Sequence, residues 1–182
     1  MWASFALLLG GPLLAGAINV TYTTSSSDLF QNNQSITSVV FDDDVAIIPN
    51  YAFYNCVNLG GDIDLSNTNV TQIELNAFYQ TNIDSVSFPT SLKHIGNGAF
   101  DDCTNLGGHI DLSTTNVTHI GHSAFRNTNI STVTFPALLE QISNIAFDNC
   151  ANLGGHIDLA STNVTQIGYR TFYKTNIESV SF

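Results

Sequence analysis

Residues 99–112 read AFDDCTNLGGHIDL, and this stretch decides the fold because it occurs three times without a gap. The other two copies are AFYNCVNLGGDIDL at 52–65 and AFDNCANLGGHIDL at 146–159, each 47 residues away. Self-similarity at a fixed period of this size is typical of proteins that stack one structural unit on the next. The sequence therefore predicts a repeat architecture.

Phenylalanines mark a shorter unit within the 47-residue period. They step along the chain by 25, 22, 25, 22 and 25 residues, so long and short coils alternate. Repeats of about 20–29 residues indicate a solenoid. We predict roughly six and a half coils over residues 35–182, ending in mid-coil, after an N-terminal cap at 18–34. The phenylalanines, all expected to be buried, are Phe53, Phe78, Phe100, Phe125, Phe147 and Phe172.

Each coil is predicted to contribute one short strand. In the short coils the apolar residues follow the spacing Ile83-x-x-Val86-x-Phe88, which places Val86 and Phe88 on one face of a strand. Pro89 then stops the strand, since proline offers no N–H to a ladder. We expect one parallel sheet built from strands near 38–41, 62–65, 85–88, 109–112, 132–135, 156–159 and 179–182.

The string Ile95-Gly-Asn-Gly-Ala-Phe100-Asp-Asp-Cys103, preceded by a strand that ends in Pro89, resembles the BspA-type leucine-rich repeat. The resemblance covers residues 36–182. It implies a β-rich repeat solenoid of the α/β type, with right-handed leucine-rich-repeat coils and one parallel sheet. It also implies an extracellular or cell-surface protein, often adhesive, without catalytic residues or a cofactor.

The charge balance argues against nucleic-acid binding. Fifteen acidic residues stand against four Lys and Arg, for a net charge of −11, whereas neutralising phosphates takes clustered cations. The polarity comes instead from 20 Asn, 19 Thr and 17 Ser.

The amino terminus carries an apolar run at residues 5–17 that ends in Ala15-Gly16-Ala17. This small-x-small ending is one that signal peptidase accepts, and the run is too short to span a bilayer. We predict a signal peptide at 1–17; the alternative is a retained apolar arm or a short core segment. No other segment approaches transmembrane length, so we expect no transmembrane segment.

Six Asn-x-Ser/Thr sequons are candidate N-glycosylation sites. Three of them read Thr-Asn-Val-Thr at intervals of 47 residues, so glycans there would form a stripe. The alternative is that these Asn and Thr residues only shape a polar turn. The sequons lie at Asn69, Asn116, Asn163, Asn129, Asn19 and Asn33.

Two further series recur with the coils. Cys56, Cys103 and Cys150 share one position of the long coil, too far apart for a disulfide, so we expect buried free thiols; an intermolecular bridge is the alternative. One asparagine per coil, just before the first apolar strand residue, is expected to form a hydrogen-bonding ladder. That ladder would comprise Asn58, Asn82, Asn105, Asn129, Asn152 and Asn176.

The outward strand positions carry His and Asp two residues apart, at His109 with Asp111 and at His156 with Asp158. Such pairs can hold a metal weakly, but a solvated polar strand face fits them better, so we predict no metal site. His94, His119 and His122 show no partner pattern in the sequence.

Three functions compete. The first is a non-catalytic secreted or cell-surface glycoprotein that acts as an adhesion or interaction scaffold for unidentified protein or glycan ligands. The second is a subunit that stacks head to tail into an extracellular glycosylated filament. The third, a glycan-active enzyme, is disfavoured because no catalytic constellation breaks the periodicity.

Overall fold

The computed structural model describes residues 18–23 and 30–182; the predicted signal peptide at 1–17 lies outside them. The regular structure of the described residues consists of strands and turns without a helix, so only the β part of the expected α/β type is present. In chain order the strands are Ile18–Tyr22 (β1), Ile36–Phe41 (β2), Ile47–Ile48 (β3), Gly60–Asp64 (β4), Gln72–Ile73 (β5), Asn82–Ser87 (β6), His94–Ile95 (β7), Gly107–Asp111 (β8), His119–Ile120 (β9), Asn129–Thr134 (β10), Gln141–Ile142 (β11), Gly154–Asp158 (β12), Gln166–Ile167 (β13) and Asn176–Ser181 (β14).

The strands stack as a solenoid of about seven turns. From β2 onward the chain alternates between a strand of five or six residues and a strand of two residues, one of each per coil. Every hydrogen-bonded strand pair is parallel. The predicted repeat solenoid is therefore confirmed.

The longer strands form hydrogen-bonded pairs, which differs in detail from the single continuous sheet that we expected. The pairs are β1–β2, β4–β6, β8–β10 and β12–β14, and β6 lies next to β8 without a ladder between them. Each pair contains a bulge: Asp84 is the extra residue between Ile83, opposite Gly61, and Ser85, opposite Asp62. A bulge bends its strand and increases the local twist, which accounts for interrupted pairing and for the two-residue gap between Ile83 and Val86.

The two-residue strands form the continuous sheet of the molecule. Six of them hydrogen-bond in the order β13-β11-β9-β7-β5-β3, one per coil. In each, the second residue is an isoleucine that points inward, and the first lies on the outer surface. This ladder and the longer strands enclose the apolar core from two sides.

Stacked phenylalanine rings run through the core. Neighbouring centroids are 5.2–5.5 Å apart, with interplanar angles of 3–19°. Five of the six predicted phenylalanines are fully buried, which confirms the prediction for them, whereas Phe172 in the final coil is only partly buried. The stack also includes Phe30, whose amide donates to the Ala52 carbonyl at 2.7 Å.

The stack is positioned by a tight corner in each coil. Two residues that flank the Ala-Phe pair adopt left-handed backbone angles, for example Asn76 (φ 52°) and Gln80 (φ 54°) around Phe78. The corner amide then bonds to the next coil, with Phe78 N–H donating to the Ala99 carbonyl at 2.8 Å. Glycine follows several of the short strands because the coils approach closely there: a Cβ on Gly121 would lie 2.5 Å from the Gly96 carbonyl carbon.

Candidate interaction surface on the longer strands

Short polar side chains cover the outer side of the longer strands. We call this surface the polar strand face. Its members are mostly exposed, and each longer strand from β4 onward contributes two of them. They are Asp62, Asp64, Ser85, Ser87, His109, Asp111, Thr132, Thr134, His156, Asp158, Ser179 and Ser181.

Hydrogen bonds within each strand pair hold these side chains in place. Ser85 Oγ donates to Asp62 Oδ1 at 2.6 Å. One pair further, the hydroxyl of Thr134 donates to Asp111 Oδ1 at 2.8 Å. Because long and short coils alternate, most outward residues of a long-coil strand contact a hydroxyl of the short coil beside it. Asp64 differs, because it accepts from the Ser66 N–H of its own coil. The face is therefore largely ordered before any partner arrives.

The polar strand face is anionic. The side-chain and backbone hydrogen bonds of Ser66 lower the pKa of Asp64, and those of Ser113 lower the pKa of Asp111, with Thr134 contributing. The Ser181 hydroxyl, followed by the Ala160 N–H, lowers the pKa of Asp158. All three carboxylates are therefore charged at neutral pH.

The positive charges lie elsewhere. Arg126 makes two bonds to Asp101, Nε to Oδ1 at 2.8 Å and Nη2 to Oδ2 at 3.0 Å. Burial nevertheless raises the pKa of Asp101 and outweighs the opposing effect of Arg126. Arg170 lies 3.7 Å from Asp148 and stacks over the Tyr173 ring. These pairs belong to the Ala-Phe corner, so they do not neutralise the polar strand face.

Histidines on the polar strand face bind hydroxyl groups. The Nδ1 atom of His109 lies 2.8 Å from Thr132 Oγ1, and the Nδ1 atom of His156 lies 2.8 Å from Ser179 Oγ. Within 18–23 and 30–182, no group of three or more His, Cys, Asp or Glu gathers in a way that would hold a metal ion.

The sequons lie in two kinds of place. Asn69, Asn116 and Asn163 are exposed after the long-coil strands, and the first two donate their side-chain amides to the carbonyls of Asp43 at 2.7 Å and Thr90 at 2.8 Å. Asn129 and Asn19 are exposed at strand positions, and Asn33 is half-buried. The amide contacts fit the turn-shaping alternative without excluding a glycan, since a glycosylated amide keeps one N–H.

The asparagine series before the strands makes hydrogen bonds at some coils. Asn58 Nδ2 donates to the Gln34 carbonyl at 2.7 Å, Asn152 Nδ2 donates to Asn129 Oδ1, and Asn176 Nδ2 donates to the Ala151 carbonyl at 2.7 Å. Within the part of the chain that the structure describes, the side chains of Asn82 and Asn105 make no hydrogen bond. The row is therefore interrupted at these two residues.

A second amide row, which the sequence analysis missed, runs along the left-handed corner residues. Asn55 Nδ2 donates to Asn32 Oδ1 at 2.9 Å. Further along, Asn127 Nδ2 donates to Asp102 Oδ1, and Asn149 Nδ2 donates to Asn127 Oδ1 at 2.8 Å. The available signal was an Asn or Asp two residues after most of the Ala-Phe phenylalanines, a residue type that tolerates left-handed φ.

The three cysteines are buried and unpaired. Their thiols donate to phenylalanine carbonyls of the preceding coil: Cys103 Sγ lies 3.0 Å from the Phe78 oxygen, and Cys150 Sγ lies 3.0 Å from that of Phe125. Burial raises the pKa of Cys103 to about 12 and that of Cys150 to about 11. The thiols are held in their protonated, unreactive form.

The fold and this surface define the class of protein: a leucine-rich-repeat solenoid with an exposed polar strand face. Residues 23–154, more than half of the chain, match six copies of the BspA type leucine rich repeat region. The chain belongs to that family, as its sequence motifs predicted. No curated protein matches its sequence.

Solved structures of bacterial leucine-rich-repeat proteins resemble this one. The leucine rich repeat protein of T. pallidum is 22% identical, with 84% of this chain and 73% of that chain covered at a TM-score of 0.66. The pneumococcal vaccine antigen PcpA is 20% identical over 80% of this chain and 30% of that one, at a TM-score of 0.45. A leucine rich cell surface protein from Faecalibacterium prausnitzii A2-165 is 17% identical, with 90% of this chain and 64% of that chain covered, at a TM-score of 0.30. The first of these shows the shared fold.

In residues 18–23 and 30–182 the protein has no helix with the length and apolar character needed to cross a membrane.

Proposed function

We propose that this protein is a non-catalytic, secreted or cell-surface scaffold that binds a protein or glycan partner through the polar strand face. The observation that carries the proposal is the exposed row of hydroxyls and carboxylates on the strand pairs. Family membership supports it, because the BspA-type repeat implies an extracellular or cell-surface protein.

The side chains of the face suit binding because they are short and already ordered. Asp, Ser and Thr lose little conformational entropy when a partner immobilises them. Hydrogen bonds such as Ser85 to Asp62 hold their direction in advance. Carboxylates that stay charged favour a partner rich in hydrogen-bond donors, either the hydroxyls of a glycan or a basic peptide surface.

Binding to a printed glycan array and to an array of immobilised basic and neutral peptides tests the proposal. The double variant T132K/T134K places two cations on the polar strand face, and the control variant Q141K/Q166K makes the same charge change on the short-strand side. We expect the first variant to lose binding and the control to retain it, with both keeping the wild-type circular dichroism spectrum. Equal binding by both variants, or none by the wild type, would contradict the proposal.

N-glycosylation of Asn69, Asn116 and Asn163, and less often of Asn129, is part of this proposal. The exposure of these residues supports it, together with the 47-residue interval of the first three. Glycopeptide mass spectrometry on material from the natural source is the test. Unmodified peptides at all three of the 47-spaced sites would remove the glycan stripe.

Head-to-tail assembly into a filament is the second candidate, favoured by the apolar layer of the final coil. Phe182 is 80% exposed and Val180 36% exposed, and Phe172 is only partly covered. Contact between this layer and the first coil of another copy would be heterologous, and such contacts propagate. Further coils of a longer chain would cover the same layer equally well.

Sedimentation velocity of the 182-residue chain over a range of concentrations separates these cases. Species that grow with concentration would favour the filament, and a single monomeric species throughout would leave the scaffold.

A further inference from the structure

The outward residues of the short strands form one column on the opposite side from the polar strand face. Backbone pairing places them directly beside one another from coil to coil. Two neighbouring members are histidines, His94 on β7 and His119 on β9, with ring centroids 6.0 Å apart. The column comprises Ile47, Gln72, His94, His119, Gln141 and Gln166.

We propose that His94 and His119 form a two-histidine site for a divalent transition-metal ion such as Cu²⁺ or Zn²⁺. Imidazole is a preferred ligand of both ions. Ligand nitrogens lie about 2.0–2.1 Å from such an ion, and small side-chain rotations bring the two rings to either side of it.

Each histidine of this pair keeps at least one ring nitrogen without a hydrogen bond, in contrast to His109 of the polar strand face. His119 Nδ1 lies 2.8 Å from Thr118 Oγ1, which orients the ring and leaves Nε2 open. His94 is exposed, and its side chain makes no hydrogen bond to any residue that the structure describes. By comparison, both ring nitrogens of His109 face hydroxyls, those of Thr132 and Thr134.

The backbone beneath the pair is fixed. Strands β7 and β9 each have a neighbour on both sides in the six-stranded ladder, and the adjacent Ile95 and Ile120 are buried in the core. The residues that follow are Gly96 and Gly121, so no side chain there overhangs the imidazoles. The protein supplies only two ligands, so water molecules complete the coordination shell. Such a site exchanges its metal ion and differs from a closed structural site with four protein ligands.

Replacement by glutamine is the natural test because glutamine already occupies this column at Gln72, Gln141 and Gln166. Isothermal titration of the full chain with CuCl₂ and with ZnCl₂ at neutral pH measures affinity, and electron paramagnetic resonance of the Cu²⁺ form counts the nitrogen ligands. We expect His94→Gln and His119→Gln each to weaken binding by roughly tenfold or more, since two linked ligands hold an ion far better than one. The control His122→Gln changes an exposed histidine outside the column and should leave affinity unchanged.

Moving the pair by one strand sharpens the test. In the His94→Gln background, Gln141→His places a new imidazole beside His119 and should restore binding and the two-nitrogen signal. The proposal is overturned if His122→Gln weakens binding as much as His94→Gln, if the single variants bind like the wild type, or if the moved pair fails to restore affinity. None of these readouts depends on a ligand of the polar strand face.

Discussion

Two parts of each coil behave differently, and residue counts explain why. The segment from the short-strand isoleucine to the corner phenylalanine, for example Ile48 to Phe53 or Ile95 to Phe100, always has the same length; we call it the constant arc. The rest of the coil, which contains the longer strand, is the variable arc. It advances 20 residues from Phe100 to Ile120 but 17 from Phe125 to Ile142.

Features of the constant arc repeat in every coil. These are the six-stranded ladder, the phenylalanine stack and the left-handed residue two positions before each phenylalanine. Two features of the variable arc repeat only in every second coil. These are the strand pairs and the left-handed glycines Gly61, Gly108 and Gly155. Equal lengths bring like backbone groups into register and extend a ladder, whereas alternating lengths close it after two strands.

The largest expected effect comes from the phenylalanine stack of the constant arc. Phe100→Ala should lower the free energy of unfolding by about 3–5 kcal/mol, the usual cost of truncating a core aromatic. Phe172→Ala, at the half-covered end of the same stack, should cost clearly less. Chemical denaturation of both variants measures the difference, and an equal cost would contradict the stacked core.

Glycine replacements compare the two arcs directly. Gly121→Ala in the constant arc drives a Cβ to 2.5 Å from backbone atoms of the preceding coil and should cost about 3 kcal/mol by overpacking. Gly108→Ala in the variable arc has φ 69° but open space around the new Cβ. It should cost about 1 kcal/mol, from backbone strain alone. Thermal denaturation decides the order, and the reverse order would mean that the coils are not closely packed at Gly121.

A stabilising substitution should be possible at Ile145, a β-branched residue held at φ 51° in the constant arc. The equivalent position of another coil is Asn76, at φ 52°. Ile145→Asn should raise the free energy of unfolding by about 1 kcal/mol through relief of this strain. Leu138→Asn, which replaces an exposed apolar side chain at a position without positive φ, is the control and should be nearly neutral.

Burial of the cysteines should affect two measurable properties: the reactivity of their thiols and the stability of the protein at alkaline pH. Since burial raises the pKa of Cys103 to about 12 from its ordinary value of 9.0, the unfolded chain loses this proton first. The free energy of unfolding should therefore fall as the pH rises from about 9 towards 12. Ellman's reagent should find no reactive thiol in the native protein and three after guanidinium denaturation. A reactive thiol in the native state would favour the intermolecular bridge.

The sequence predicted the constant arc well because identical spacing is visible in it. The 25- and 22-residue steps located Phe78 and Phe100 in one stack and the coils in one solenoid. Phe30 lies 23 residues before Phe53, one more than the 22-residue step, and it follows Leu29 instead of alanine. The spacing therefore did not reveal this first ring of the stack.

The pairing of strands was harder to predict because hydrogen bonding depends on backbone angles that spacing does not reveal. The gap between Ile83 and Val86 was visible, yet its cause is the bulge at Asp84. The neighbouring positions of His94 and His119 follow from the 25-residue step one residue before Ile95 and Ile120. This spacing was visible in the sequence. It is a weak signal of a histidine pair, because the other positions of the column hold glutamine or isoleucine.

The alternation of coil lengths also sets how such a molecule can grow. Inserting one coil places two long or two short coils side by side and leaves a bulged strand such as β6 without the partner whose length it matches. Inserting 47 residues adds a complete pair and preserves every existing register. Gene duplication within this protein should therefore be tolerated in steps of two coils, and a designer who wishes to lengthen it should copy residues in that unit.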